Sequence, residues 1–175
     1  MAMWTKSADE HLSRLFASLT EQTFIATLGV TDTRLVDYVS AMLARFVHSD
    51  DLYRLHDEAG RPIHELVDMV SEARRLPPEG RTAREYHRHI GDFALFWTGL
   101  FPESLERKRT SLCRDVLVDY CSQGKRSYFV ASTFQTEPFE EESKVLRRLS
   151  EKFEMCAYGL NQVRREWEHA VGGLH

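Results

Sequence analysis

The sequence predicts an all-α protein, a single-domain bundle of six or seven helices over residues 1–175, frayed at 1–6 and 171–175. Three observations carry that prediction. Apolar residues recur at spacings of three and four through most of the chain, the period of one helix face. Helix-breaking residues fall between the periodic stretches, at Gly29, Gly60, Pro77-Pro78, Gly80, Gly99, Pro102 and Pro138. No internal repeat or low-complexity tract divides the chain, and 42% apolar with 29% charged residues is a globular composition.

Taken in order, Ser7 and Glu10 form a capping-box pattern that opens a helix over residues 8–28. Leu12, Leu15, Phe16, Leu19 and Phe24 supply its stripe, and Gly29 ends it. Thr31 or Asp32 caps the next helix, whose Leu35, Val36, Val39, Met42, Leu43 and Phe46 keep a helical period to about Val47. Residues 48–64 surround a turn at Asp57-Glu58-Ala59-Gly60, flanked either by a short hairpin or by helical turns. A helix over 63–76 follows, with Leu66, Val67, Val70 and Ala73 on one side.

The stretch TAREYHRHIGDFALFWTGLFP, residues 82–102, organises the rest. Thr82 and Glu85 read as a capping box for a helix over 83–98. Tyr86, Ile90, Phe93 and Trp97 form a stripe, and Ala94, Leu95 and Phe96 make its second half apolar nearly all round, which places that half at the centre of the domain. Gly91 costs about 1 kcal/mol relative to alanine in a helix, so close approach of another backbone or a ligand is expected there. Asp92 beside it, if buried, needs a cationic or hydrogen-bonding partner. Arg88, four residues earlier, is the local candidate, and arginines from other helices are candidates too.

Residues 103–109 read as a short charged helix or turn. Ser111 caps a helix to about Ser132 that carries Leu112, Val116, Leu117, Tyr120, Tyr128 and Val130, with Gly124 near its middle. Gly91 and Gly124 are expected to meet at a close helix crossing. The last helix opens after Pro138 with Glu140, Glu141 and Glu142 in its first turn, favourable to the helix dipole. Leu146, Leu149, Phe153, Cys156, Leu160, Val163 and Trp167 then form a heptad seam, for a helix of the same chain or of a second subunit.

The net charge of −4 argues against a nucleic-acid binder. Residues 74–126 are nevertheless net +4, which leaves −8 for the remainder. The two zones either pair with each other, within the fold or across a homodimer, or build a basic groove for an anionic ligand. Cys113, Cys121 and Cys156 show no Cys-x-x-Cys spacing and read as small buried thiols in a reducing compartment. No stretch has the pattern of a signal peptide or the length of a membrane span, so a cytoplasmic location without membrane contact is expected.

Glu85, Arg88, His89 and Asp92 are the candidate ligand-binding residues. Glu85, His89 and Asp92 stand at i, i+4 and i+7 on one helical face, three side chains of metal-ligand type. The same residues equally describe a polar face closed by ion pairs with Arg84 or Arg88. His48, Asp50, Asp51, His56, Asp57 and His64 gather in a second stretch open to a metal, without the spacing of a structural zinc site. There is no glycine-rich phosphate loop, Gly-x-Ser-x-Gly or His-Glu-x-x-His, so no catalytic residue is assigned and no cofactor is called for. The expectation is a non-enzymatic protein-interaction or regulatory module with a protein partner or a second copy of itself. The alternative is a metal- or haem-binding helical protein with its site near His89 and Asp92.

Three resemblances add to this reading. IleGlyAspPheAlaLeuPheTrpThrGlyLeuPhePro, followed by TyrCysSerGlnGlyLysArgSerTyr at 120–128, resembles an uncharacterised bacterial all-helical family, over residues 60–130. That resemblance implies a helical fold and no particular activity. TyrHisArgHisIleGlyAsp, residues 86–92, is similar to the distal helix of haem oxygenases, which implies backbone approach to a haem at Gly91-Asp92 and His11 as the iron ligand. Arg84-x4-His89 is similar to the Arg-x4-His motif of HEPN ribonucleases, which implies RNA cleavage by those two residues.

Overall fold

The computed structural model describes residues 2–108 and 115–173, and these hold nine α-helical segments, one π-helical turn and no strand. The expected six or seven helices are therefore too few. Short turns of helix form where loops were expected, and the last helix is kinked into two.

Helix α1 (Ala2–Glu21) runs on into a π turn (Gln22–Thr27). Ser7 lies inside α1 and does not start it, because no glycine or proline before it stops the helix. The wider π turn carries Thr23 and Phe24 into the core, and Gly29 ends the element in the left-handed region at φ 68°. Helix α2 (Thr33–Phe46) is capped by the Asp32 carboxylate, which accepts from Leu35 N at 3.2 Å. Its six expected core residues, from Leu35 to Phe46, are all buried.

Residues 48–64 combine both alternatives: a single helical turn, α3 (Ser49–Leu52), then a tight loop closed by one bridge between His56 and Pro62. Gly60, at φ 76°, allows that loop to reverse. Helix α4 (Leu66–Arg75) starts later than its periodicity suggested. Its buried face is Leu66, Met69 and Ala73, and Val67, expected inside, is 66% exposed.

Helix α5 (Arg81–Leu100) is the central element, packed against α4, α7 and α9. Gly80 is its N-cap residue and no side chain caps it, so the Thr82–Glu85 box does not form. Glu85 is drawn instead to Arg84 and Arg88. The expected burial of the second half holds, with Ile90, Phe93, Ala94 and Leu95 buried in succession. Helix α6 (Pro102–Arg107) follows at once, and α7 (Val116–Ser132) is capped by Asp115, which accepts from Val118 N. The expected Ser111 cap and the Leu112 and Cys113 positions lie outside the described residues.

Gly91 and Gly124 both serve the crossing of α5 and α7, but they do not meet. A Cβ on Gly91 would stand 2.5 Å from Cδ1 of Tyr128, and one on Gly124 would stand 2.7 Å from Phe153 Cε2 and 2.8 Å from Ala94 Cβ. Each glycine makes room for a ring. Gly91→Ala is expected to lower stability by about 1–3 kcal/mol through overpacking, outweighing the ~1 kcal/mol helix-propensity gain. A thermal melt of this variant at or above wild type would refute the close packing.

Helices α8 (Glu140–Glu151) and α9 (Phe153–Gly172) meet at a kink where Lys152 leaves helical geometry at φ −111°, ψ 26°. The kink splits the heptad seam: α8 lies on α7 and α2, while α9 lies on α5 and α1. Leu146, Leu149, Phe153, Cys156, Leu160 and Val163 are all fully buried within this chain, and Trp167 packs on Phe16. Of the two expected partners for the seam, this chain's own helices therefore cover the positions from Leu146 to Val163. Among the described residues no helix is long and apolar enough to cross a membrane.

Candidate functional site

The site builds outward from Asp92, which the apolar second half of α5 carries to 1% exposure. A carboxylate at that depth requires donors, and three converge on it. The Tyr38 hydroxyl donates to Oδ1 at 2.8 Å, the Tyr128 hydroxyl donates to the same oxygen at 2.7 Å, and Arg45 Nη2 donates to Oδ2 at 3.0 Å. Helices α2, α5 and α7 are thereby tied at one point. Burial, and then the adjacent Asp92 carboxylate, push both phenols well above the ordinary tyrosine range, so they remain donors.

Arg88, expected to pair with Asp92, reaches it through an intermediary. Its Nε donates to the Tyr38 hydroxyl oxygen at 3.2 Å and lies 3.3 Å from Glu142, while its Nη1 lies 3.3 Å from Glu85. Burial works against its charge, but Tyr38, Asp92 and Glu142 together hold it far above the usual arginine value. Arg84 is 1% exposed, pairs with Glu85 at 2.7 Å and Glu142 at 2.5 Å, and lies 4.1 Å over the Phe139 ring. Lys125 pairs with Glu154 at 2.7 Å. The basic middle of the chain is thus partly neutralised by the acidic last helices.

His89 stands apart from these pairs. Its Nε2 donates to the Leu52 carbonyl oxygen at 3.0 Å, and its ring packs edge-on to Phe46. Burial depresses its pKa from 6.5 to about 4. The unfolded chain therefore binds the proton that the folded chain refuses. The His89 contribution to stability is therefore present above pH 6.5 and is lost as pH falls toward 4, by up to ~3 kcal/mol. His89→Gln, which keeps a donor for Leu52, is expected to flatten this part of a pH-stability curve measured by urea unfolding. An unchanged slope would place the titration elsewhere.

Glu85, Arg88 and Asp92 are joined through the Tyr38 and Glu142 network, whereas His89 is held by a backbone carbonyl. No group of three histidine, cysteine, aspartate or glutamate side chains among the described residues is arranged to hold a metal ion. His48 approaches Asp9 at 3.7 Å, and His56 Nδ1 contacts the Arg54 carbonyl at 2.8 Å, while His56 and His64 line one open hollow with Asp50 and Tyr53. Gly91, where a haem would approach, is covered by the Tyr128 ring, and His11 is exposed on α1. Cys121 and Cys156 are free thiols, the latter pushed by burial up to about 12.

An arginine from another helix was among the expected partners of Asp92, and Arg45 is that arginine; Tyr38 and Tyr128 were not identified. The only trace of these two was a tyrosine placed on an otherwise apolar helix face. Fold and site together define a helical protein clamped through one buried carboxylate. Comparison with family models, curated proteins and solved structures finds no match.

Proposed function

We propose that this chain is a non-enzymatic helical module for protein interaction or regulation. One observation supports it most: the residues of the most site-like stretch are engaged in joining helices. Asp92 accepts from three protein donors, and His89 is committed to Leu52. A carboxylate engaged in this way is a structural clamp, and chemistry on a substrate would require those bonds to break first.

The test is direct. The purified protein is expected to be colourless and to melt at the same temperature with or without haem and divalent ions. A stoichiometric chromophore or transition metal would favour the site near His89 and Asp92 instead. RNA cleavage that disappears in His89→Ala, with the variant still folded, would favour the ribonuclease reading.

A further inference from the structure

We infer that the groove between α4, α5 and α7 binds a small organic acid, its carboxylate held by Arg74 and Arg126 and its apolar body lying against Val70 and Val130. Helical spacing creates the groove. Val70, Ala73 and Arg74 lie on one face of α4, Ala83 and His87 on one face of α5, and Gln123, Ser127 and Val130 on one face of α7. The volume is about 250 Å³, just under the roughly 300 Å³ at which ligand pockets usually begin, so the occupant is small.

The charge is one-sided. Two arginines line the groove and no carboxylate does. Arg84, Arg88 and Arg45 each have an acidic partner, whereas neither Arg74 nor Arg126 has an ion pair among the described residues. Guanidinium groups left in this state beside a concave, partly apolar surface suit a planar carboxylate, which accepts two parallel hydrogen bonds from one fork and a single bond from the other.

Polar groups at the groove are also underused. Ser127 is 3% exposed, and the one partner of its hydroxyl among the described residues is His87 Nδ1, at a long 3.4 Å. The other ring nitrogen of His87 has no hydrogen bond among the described residues. Burial, and then the charge of Arg126, depress the His87 pKa. The positive field of Arg126 is therefore felt within the groove.

The site stands apart from the Asp92 clamp and does not depend on the proposed interaction role. Its test uses sodium isovalerate, the uncharged isovaleramide and inorganic phosphate as probes. Binding is followed by calorimetry and by the His87 ring resonances. Isovalerate is expected to bind one to one and to shift those resonances, with isovaleramide and phosphate weaker by about tenfold or more. Arg74→Gln and Arg126→Gln, both at exposed positions, are each expected to weaken isovalerate by about tenfold with the melting temperature unchanged. Arg126→Lys, which keeps the charge and loses the planar fork, is expected to weaken it as well. Phosphate binding as tightly as isovalerate would overturn the apolar half of the assignment. Isovalerate that leaves His87 unmoved, or binds the double arginine variant as it binds wild type, would overturn the site.

Discussion

Replacing Asp92 by alanine is expected to lower the unfolding free energy by about 3–5 kcal/mol, the usual cost of removing one partner from a buried charged cluster. The loss is large because the partners stay behind. The Tyr38 and Tyr128 hydroxyls and Arg45 Nη2 all point at the missing carboxylate. An orphaned buried donor costs its full desolvation. Asp92→Asn, which keeps one acceptor oxygen and loses the charge, is expected to fall between alanine and wild type. Urea unfolding of the three proteins checks the order. The result also bears on function. A carboxylate kept for binding or catalysis is typically a strained feature whose removal leaves stability unchanged or improves it. An Asp92→Ala variant as stable as wild type would therefore count against the clamp and for a ligand at this position.

Phe153→Ala is expected to be comparably severe, at about 3–5 kcal/mol, with no change in molecular mass by light scattering. The ring is fully buried at the start of α9, lies in the space left by Gly124 and is 6.1 Å, centroid to centroid, from Tyr128. Truncating it opens a cavity bounded by helices that Asp92 holds in place, so the site has little freedom to collapse. The two readouts separate an internal seam from an intersubunit one. A variant that halves the mass while keeping its folded stability would return the seam to a dimer interface.

Residues 146–163 show what periodicity can and cannot convey. Each seam position there, from Leu146 to Val163, is buried, as the spacing of three and four required. The kink at Lys152 was invisible, because neither glycine nor proline marks it and the seam runs through it in phase. In the same way, the start of α4 was misplaced by a few residues, and Val67 moved from the core to solvent. The candidate residues Glu85, Arg88, His89 and Asp92 were legible as a polar group on the central helix. Their tyrosine partners were not, since Tyr38 precedes Asp92 by 54 residues and Tyr128 follows it by 36.

Sequence alone determined that the chain is helical, that residues 90–100 form its interior, and that Gly91 and Gly124 exist to let something come close. Those properties follow from side-chain spacing and from the missing Cβ, which are local. Tertiary structure decided what comes close, which cations meet which carboxylates, and which arginines have no ion pair among the described residues. Those outcomes depend on where separate helices cross, and a crossing is set by the packing of many side chains together.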